Sequence, residues 1–341
     1  MRIAEISTLL GPVPPTGSAS VESLVSTITE GLVAKGHEVT LFALEGSKTG
    51  ASLRSPVAVS YAVDGSKWDW QLYEAFQVRE AFRAWREFDV IHCHSYYHGL
   101  LFCDLVATPS LHTIHIEPGP DYVFLARETA NRHLHFCSQY QARDFQGIAN
   151  VHVIPHGIAM DEFSVSPREE RDDYVAFLGR FIPEKGPVQA IEIARQAGLP
   201  LKMAGAENDY FRDVVNPRID GRQIEYVGEL IGSERAALLS KARALIYPVQ
   251  RGEPFGMVLI EAMAAGLPVV ALNRGAVSEI VTHGCTGWIG NSEQDLIEGL
   301  LQVETFDRCA IRLHAETRFS AQRMVDSLEL LLADIVKGSN A

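Results

Sequence analysis

The sequence predicts an α/β protein made of two Rossmann-like, doubly wound domains that face each other across a cleft. Short apolar strands alternate with amphipathic helices, which is typical of parallel sheets covered by helices. A polar stretch, residues 161–173, interrupts this alternation, which then starts again at YVAFLG (174–179). The restart predicts a second domain, with residues 161–173 as the linker. A chain of 341 residues is long enough for two domains.

The same pattern sets the expected domain boundaries. We predict an N-terminal domain over residues 1–165, a C-terminal domain over 166–319, and a last helix over 320–337 that packs back on the N-terminal domain. This helix has one apolar face, formed by Met324, Val325, Leu328, Leu331, Leu332 and Ile335. Doubly wound sheets bind ligands at the carboxyl ends of their strands, so a facing pair would enclose a binding site.

Runs of apolar and β-branched residues bounded by turn residues define the strands. In the first half we predict strands at RIAEIS (2–7), HEVTLFAL (37–44), VAVSYAV (57–63), DVIHCHS (89–95), SLHTIHI (110–116), HLHFCS (133–138) and VHVIP (151–155). In the second half we predict YVAFLG (174–179), LKMAG (201–205), IEYVGE (224–229), ALIYPV (244–249) and LPVVAL (267–272). Helical spacing predicts a first helix with Ser20 as its N-cap and Gly36 just past its C-terminus, and further helices over 67–88, from Pro187 to Gln196 and after Ser233.

Composition limits the class of protein. Hydrophobic residues make up 47% and charged residues 21%, as in ordinary globular proteins. The net charge of −13 argues against nucleic acid as a partner and against tight docking on an anionic membrane. Five scattered cysteines without a CxxC motif indicate a reduced intracellular protein. Because the N-terminus does not resemble a signal peptide and no apolar run spans a membrane, we expect a cytoplasmic enzyme.

The segment EPFGMVLIEAMAAG (253–266) keeps two carboxylates, Glu253 and Glu261, in an apolar run. Burying a carboxylate costs free energy unless the group is paired. Pro and Gly near the two ends predict a helix over 255–265, whose first N–H groups can bind an anion. A carboxylate can also accept two hydrogen bonds from a vicinal diol of a sugar or ribose. The pattern favours this role over two surface charges on an amphipathic helix.

The segment LGRFIPEKG (178–186) places Arg180 and Lys185 in a loop between a predicted strand and a helix. Two cations at the carboxyl end of a strand can neutralise a diphosphate leaving group. The competing interpretation is ordinary loop charge, with Glu184 paired to either cation.

The histidine-rich segment HCHSYYH (92–98) admits a zinc hypothesis, since two histidines spaced by one residue share a face of a strand. We favour packing or sugar contact instead, because the segment ends a strand at the expected cleft. His94, Tyr96, Tyr97 and His98 are the predicted acceptor-side residues. The aromatic helix over 67–88 has no basic face, so core packing is favoured over membrane contact.

Together these segments resemble glycosyltransferase family 4, retaining enzymes with the two-domain GT-B architecture, over nearly the whole chain. The matching segments, in order, are PPTGSAS (14–20), GHEVTLFA (36–43), DVIHCHS (89–95), HTIH (112–115), VIPHGIAMDEF (153–163), LGRFIPEKG (178–186), EPFGMVLIEAMAAGLPVVA (253–271), NRGAVSEI (273–280) and GCTGW (284–288). Singly most of these are weak signals, but their order and spacing are specific.

The resemblance implies roles for individual residues. The implied catalytic residues are His115, Arg180, Lys185 and Glu253, and the implied donor-binding residues are Gly17, Phe255, Gly256, Met257, Val258 and Glu261. Arg180 and Lys185 would bind the donor diphosphate, and Glu261 would hold the ribose hydroxyls. Glu253 would face the transferred sugar, and His115 would lie at the edge of the cleft.

The resemblance also implies a reaction. A hexose would move from a nucleotide-diphosphate sugar to a hydroxyl acceptor, by attack on the face from which the leaving group departs. We expect a UDP-sugar in preference to a GDP-sugar, and neither a metal nor another cofactor. Two alternatives remain open: a sugar-nucleotide epimerase or hydrolase of the same fold, and a catalytically silent nucleotide-binding protein. A dinucleotide dehydrogenase is disfavoured, because TLLGPVPPTGSAS after the first strand lacks G-x-G-x-x-G.

Overall fold

The computed structural model describes residues 1–17, 19–61 and 69–339, which form two compact units. The first unit comprises Met1–Gly157 and the chain from Ala321 onward, and the second comprises Ile158–Ser320. Within the described residues, each unit is built on one parallel sheet, of seven strands in the first and six in the second.

The strands are short and regular. They are β1 (Arg2–Ile6), β2 (Glu38–Phe42), β3 (Ser52–Arg54), β4 (Val90–Cys93), β5 (Ser110–Thr113), β6 (His133–Phe136), β7 (Val151–Val153), β8 (Val175–Leu178), β9 (Leu201–Ala204), β10 (Ile224–Tyr226), β11 (Ala244–Tyr247), β12 (Val269–Leu272) and β13 (Gly287–Gly290). The central strands are buried on both faces, as expected for parallel sheets covered by helices.

Helices alternate with the strands. Those over residues 120–128, 139–142, 277–280, 293–302 and 308–319 were not predicted from the sequence, whereas the others in the described part of the chain correspond to predicted helices. The helices are α1 (Ser20–Ala34), α2 (Trp70–Arg83), α3 (Pro120–Glu128), α4 (Gln139–Ala142), α5 (Pro187–Gln196), α6 (Gly232–Lys241), α7 (Met257–Ala264), α8 (Val277–Ile280), α9 (Glu293–Gln302), α10 (Arg308–Phe319) and α11 (Ala321–Ser339). Among the residues that the structure describes, no helix combines the length and the apolar character that crossing a membrane requires.

Both sheets have the doubly wound strand order. The first sheet runs β3-β2-β1-β4-β5-β6-β7, and the second runs β10-β9-β8-β11-β12-β13. The direction of winding therefore reverses between β1 and β4 in the first unit and between β8 and β11 in the second. Ligands of doubly wound sheets bind outside the carboxyl ends of the strands at such a reversal point.

The last helix belongs to the first unit. Met324, Leu328 and Leu332 of α11 are buried in one core cluster with Ile3 of β1 and Ile28 of α1. These residues recur at the spacing of one helix face, which is why the sequence pattern predicts this amphipathic helix.

The passage between the units differs from the sequence-based expectation. The chain enters the second unit at Ile158, and residues 161–173, expected to be the linker, lie inside that unit. Phe163 in this stretch is buried, and its carbonyl oxygen accepts a hydrogen bond of 2.7 Å from Arg312 of α10. A run of charged residues describes a solvated surface loop as well as it describes a linker, so composition alone could not separate the two.

Two sequence-based element assignments are corrected. The predicted strand over 57–63 does not form over residues 57–61, and residues 62–63 lie outside the described part of the chain. The edge strand is instead β3, immediately before Ser55-Pro56, and proline cannot donate to a ladder. Strand β13 was not predicted, because its sequence, GWIG, is flanked by glycines that resemble a turn.

Residues 67–68 of the predicted aromatic helix over 67–88 lie outside the described residues, and from Trp70 onward the segment forms α2 and a following turn. Core packing accounts for only part of it. Phe82 and Phe88 are buried, whereas Leu72 and Phe76 are 62% and 43% exposed. The buried face of α2 also carries Glu74, whose role is described below.

Candidate functional site

The second unit gathers three predicted site residues at its reversal point. Arg180 and Lys185 follow β8, and Glu253 follows β11, the parallel neighbour of β8. Because the carboxyl ends of neighbouring parallel strands lie at the same edge of a sheet, the three residues share this edge.

Lys185 and Glu253 form an ion pair, although 68 positions separate them in the chain. The hydroxyl of Tyr247, the last residue of β11, donates to the same carboxylate oxygen and lies 3.2 Å from the Lys185 ammonium. Burial and the Glu253 carboxylate raise the pKa of Tyr247 well above its ordinary value, so the phenol stays protonated. Glu253 is only 9% exposed, and Lys185 and Tyr247 are the partners that such a buried carboxylate needs.

Arg180 differs from Lys185 in having no partner for its charge. Its side chain is exposed, and its guanidinium forms no ion pair or hydrogen bond with any residue that the structure describes. Its charge nevertheless acts on Tyr247, whose pKa it lowers against the larger effect of burial. The edge therefore presents one unpaired cation beside one paired cation.

The N-terminus of α7 lies in the same loop as Glu253. The predicted helix start at Phe255 is two residues early, because α7 begins at Met257. Gly256 adopts a left-handed backbone conformation with φ +93°, which interrupts helical backbone before Met257. The first N–H groups of α7, at Met257 and Val258, have no acceptor inside the helix and can bind an anion.

Two glycines allow the loops at this edge to approach closely. A Cβ atom on Gly186 would lie 2.1 Å from the carbonyl oxygen of Pro248, and one on Gly275 would lie 2.2 Å from the backbone nitrogen of Glu253. Both glycines have positive φ, +70° and +66°. Close backbone contact therefore fixes the position of Glu253 relative to Lys185 and to the loop after β12.

Glu261 lies on α7 and is 7% exposed. Arg235 of α6 lies 3.3 Å from its carboxylate, a partner that sequence reasoning missed because it comes from another helix. Burial raises the pKa of Glu261, and the charge of Arg235 opposes this effect. The Arg235 Nε atom is buried and has no hydrogen-bond partner in the described structure, so the pair retains hydrogen-bonding capacity.

The reversal point of the first sheet carries a second polar group, built around Glu5 of β1. Glu5 pairs in register with His92 of β4, and its carboxylate bridges two imidazoles, with His92 Nδ1 at 3.0 Å and His94 Nε2 at 3.1 Å. His94 Nδ1 in turn lies 2.9 Å from His115 Nε2. Glu5, His92 and His94 are buried, and His115 is half-buried.

Desolvation dominates the electrostatics of this group. Burial lowers the pKa of His94 well below its ordinary value, and the neighbouring His92 lowers it further. Burial and then His94 do the same to the pKa of His115. Both imidazoles are therefore neutral at physiological pH. Sequence reasoning singled out His94 and His115 but missed Glu5, although a carboxylate inside the apolar strand RIAEIS was a usable signal.

The same residues bear on the zinc hypothesis. One carboxylate oxygen of Glu5 and one ring nitrogen each of His92 and His94 lie within 4.8 Å of one another. Each oxygen of the carboxylate already faces one of the two rings at hydrogen-bond distance. Hydrogen bonding accounts for the arrangement of these residues without an ion.

The other predicted acceptor-side residues form an aromatic cluster after β4. Tyr96 and Tyr97 are half-buried, and both rings pack nearly perpendicular to the ring of Tyr122 of α3. His98 is 2% exposed, and the ring of Trp70 lies 6.3 Å away. Within this group, surface for a ligand is thus offered by the two tyrosines, whereas His94 and His98 are enclosed.

Gly17, predicted to lie near the donor phosphates, is in the loop before α1. It is exposed, its carbonyl oxygen accepts the N–H of Ala19 at 3.0 Å, and a Cβ atom placed on it would have no neighbour within 4 Å. The space around Gly17 would admit a ligand close to the backbone. Its neighbour Ser18 lies outside the described residues.

Glu74 of α2 is a polar residue of this end of the sheet that sequence reasoning did not identify. Its carboxylate accepts the N–H of Leu9 at 3.0 Å and the hydroxyl of Ser95, which follow β1 and β4 respectively. Burial raises the pKa of Glu74 to about 7, and these two hydrogen bonds only partly offset that effect. Its charge on an aromatic, otherwise amphipathic helix gave no indication of burial.

Comparison with known proteins agrees with the fold and the order of the motifs. The sequence pattern of glycosyl transferases group 1 matches residues 160–317, and that of glycosyltransferase family 4 matches residues 21–162. The two patterns therefore meet close to the point where the chain passes from the first unit to the second.

The individual relatives have low sequence identity to this chain, but they align with it over long stretches. Glycogen synthase of Mycobacterium tuberculosis is 24% identical over 330 residues, which cover 80% of this chain and 79% of that protein. The GDP-mannose-dependent alpha-(1-6)-phosphatidylinositol monomannoside mannosyltransferase of the same organism is 28% identical over 227 residues, 59% of each chain. The crystal structure of HepE from Anabaena in complex with UDP-glucose has the same fold, with a TM-score of 0.73 at 18% identity over 98% of this chain and 100% of that one.

These matches and the two doubly wound sheets confirm the predicted architecture and the predicted class of enzyme. The chain belongs to glycosyltransferase family 4 and is a GT-B glycosyltransferase that transfers a sugar from a nucleotide sugar.

Proposed function

We propose that this glycosyltransferase moves a hexose from a UDP-sugar to a hydroxyl acceptor with retention of configuration. The observation that carries the proposal is the unpaired guanidinium of Arg180 beside Lys185, at the reversal point of the second sheet. A cation without a counter-charge, next to the N-terminus of α7, forms a favourable environment for a diphosphate.

Donor binding would rearrange the ion pair of Lys185. Phosphate oxygens compete with Glu253 for the ammonium, and a Glu253 released from it can accept hydrogen bonds from hydroxyls of the transferred sugar. The N–H groups of Gly256, Met257 and Val258 would contact the diphosphate or the sugar, with Phe255 beside them. Glu261, held by Arg235, would accept the two ribose hydroxyls.

The chemical step would depend on charge stabilisation rather than on a covalent intermediate. As the bond from the sugar to the diphosphate breaks, negative charge develops on the leaving phosphate oxygen. Arg180, Lys185 and the start of α7 stabilise that charge, and the same oxygen takes the proton of the attacking acceptor hydroxyl. Attack from the face of departure retains the configuration. The two cations do the work that a divalent metal does in other transferases, so no metal is needed.

The acceptor would lie at the first unit, where Tyr96 and Tyr97 offer amphipathic surface. Aromatic side chains of this kind suit the apolar face and the hydroxyl edge of a sugar. His115 would contact a substrate hydroxyl.

UDP is proposed as the nucleotide because HepE, which shares the fold, was solved with UDP-glucose. GDP is the alternative to test, because the mannosyltransferase relative is GDP-mannose-dependent. The test is incubation of the protein with UDP-, GDP- and ADP-hexoses, with and without sugar or alcohol acceptors, while free nucleotide is measured. We expect release of UDP from one UDP-hexose, faster with an acceptor, and an α-linked product from an α-linked donor by NMR. Release of GDP alone, an inverted product, or loss of activity in a chelator would each contradict the corresponding part of the proposal.

A further inference from the structure

The buried polar group of the first unit is one continuous chain of hydrogen bonds. From the carbonyl oxygen of Ile154, six links lead in order through six side chains to the last imidazole. The side chains are His135, Thr113, His92, Glu5, His94 and His115. The link lengths lie between 2.7 and 3.1 Å, so each link needs one proton between its two atoms.

The direction of the first links is fixed by the carbonyl oxygen of Ile154, which can only accept. His135 must therefore donate from Nε2, at 2.9 Å, and its Nδ1 then accepts the hydroxyl proton of Thr113, at 2.8 Å. The oxygen of Thr113 in turn accepts from His92 Nε2 at 2.7 Å. In a neutral His92 this leaves a lone pair on Nδ1 that faces the Glu5 carboxylate at 3.0 Å.

In that arrangement the link between His92 and Glu5 has an acceptor at each end and no proton. A count of protons shows how this link is filled. Four neutral imidazoles and one hydroxyl supply five protons for six links, so the chain holds one proton beyond the neutral histidines and an ionised Glu5. That proton must lie between Ile154 and Glu5, because only that part of the chain lacks one. Burial lowers the pKa of His135 to about 3, which leaves the Glu5–His92 pair as its place.

The remainder of the chain then has only one arrangement. Wherever the proton sits in the Glu5–His92 pair, the other carboxylate oxygen is an acceptor, so His94 donates to it from Nε2. His94 Nδ1 consequently carries no proton, and its lone pair accepts the N–H of His115 Nε2 at 2.9 Å. His115 makes no other hydrogen bond to a residue in the described part of the chain, so its Nδ1 keeps a free lone pair.

We propose that Glu5 and His92, acting through His94, hold His115 as the neutral imidazole with its proton on Nε2. His115 is thereby a hydrogen-bond acceptor at Nδ1, suited to receive a substrate hydroxyl and unable to donate to one. Glu5 is a positioning residue: it is buried and acts on the substrate through two imidazoles. The tautomer follows from the hydrogen bonds alone, whereas its use toward a sugar hydroxyl rests on the proposed function.

The test is the tautomer itself, read from long-range proton–nitrogen correlation spectra of protein labelled with ¹⁵N-histidine, with the His115 signals identified by their loss in His115→Asn. We expect Nε2 protonated and Nδ1 unprotonated in the wild-type protein at neutral pH. Glu5→Gln should preserve this state, because the amide N–H fills the link to His92 and the amide oxygen still accepts from His94. Glu5→Met removes that acceptor and should give His115 a mixture of tautomers.

Glu22→Met is the matched control. Glu22 is also a buried carboxylate of the first unit, but it accepts from Thr8 and has no link to His94. Its substitution should leave the His115 spectrum unchanged. Where either methionine variant fails to fold, the wild-type and Glu5→Gln spectra still decide.

Several results would overturn the proposal. These are a proton on His115 Nδ1 in the wild-type protein, an unchanged His115 spectrum in folded Glu5→Met, and stoichiometric metal bound through His92 and His94 in the purified protein. In the donor assay, Glu5→Met should lower kcat/KM by roughly tenfold relative to Glu5→Gln, about the cost of one hydrogen bond. If the wild-type protein consumes no nucleotide sugar but shows the expected tautomer, the proposed function fails and the network stands.

Discussion

Lys185 and Glu253 are paired at the carboxyl edge of the second sheet, and the hydroxyl of Tyr247 completes the pairing. The pair stabilises a carboxylate that is 9% exposed, in the loop that leads to α7. The contact also holds the Lys185 ammonium at this edge before a donor arrives, so that donor binding would exchange its partner, Glu253 for phosphate, rather than recruit a free side chain. Pre-positioned charge acts on a transition state without the reorganisation that a free side chain would require.

Replacement of Lys185 tests this role. We expect Lys185→Ala to lower the turnover of donor by about two to three orders of magnitude, because charge on the leaving phosphate is then stabilised less. Nucleotide release under saturating donor is the measurement, with folding checked by circular dichroism. Lys241→Ala, at an exposed position in the same unit, is the control. Turnover within a few-fold of the wild-type value would remove Lys185 from the site.

Replacement of Glu261 tests nucleotide binding separately from chemistry. Glu261→Ala removes a proposed ribose acceptor and leaves Arg235 without its partner, so UDP affinity should fall about ten- to a hundredfold. Isothermal titration calorimetry with UDP gives the affinity directly. Glu298→Gln, on the exposed side of α9, should bind like the wild-type protein. An unchanged dissociation constant for Glu261→Ala would refute the ribose role.

Gly186 and Gly198 provide a matched pair of backbone positions. Both have positive φ, +70° and +69°, so alanine costs about 1 kcal/mol of conformational strain at either. Only at Gly186 would the new Cβ also meet a neighbour, the carbonyl oxygen of Pro248 at 2.1 Å. Gly186→Ala should therefore lower the melting temperature more than Gly198→Ala and should also lower activity. Equal effects in thermal unfolding would show that the loops are not held by this contact.

Glu74 gives a dependence of stability on pH with a defined sign. Its pKa is about 7 in the folded protein against an ordinary value of 4.5, so between these values the folded state holds a proton that the unfolded state has released. The free energy of unfolding therefore falls as pH rises through this window, by about 3 kcal/mol in total from this group. Glu74→Gln should remove this contribution, and Glu80→Gln, at a half-buried, ion-paired position on the same helix, should not. The measurement is the free energy of unfolding by urea at several pH values between 4.5 and 7. The same decrease of this free energy with pH in Glu74→Gln and in the wild-type protein would contradict the prediction.

The sequence predicted features that depend on local patterns, but not contacts between residues of different elements. Strands β8 and β11 and the residues after them were predictable, because apolar runs followed by LGRFIPEKG and EPFG carry local signals. The partners were not predictable. Arg235 reaches Glu261 from a different helix, and Glu5 meets His92 only because strand order places β1 beside β4. Periodicity reports which residues face inward, but pairing depends on topology.

The start of α7 shows a further limit. Pro254 before FGMVLIEAMAA and Gly266 after it favour a helix that begins at Phe255, and the propensities of the residues between them agree. The helix begins at Met257 because Gly256 takes up a left-handed conformation, in which it lies near Leu259 and Glu253. A glycine permits that conformation but does not require it, so the choice is made by packing.

The assignment of α11 to the first unit has a consequence for biosynthesis. Strands β1 to β7 emerge from the ribosome first, yet the apolar face that Ile3, Val90 and Leu111 form is covered partly by Met324, Leu328 and Leu332. All of Ile158–Ser320 is translated before these covering residues exist. We therefore expect the second unit to complete its core while the earlier one is still unfinished, so that nascent chains shortened before α11 would expose apolar surface to chaperones.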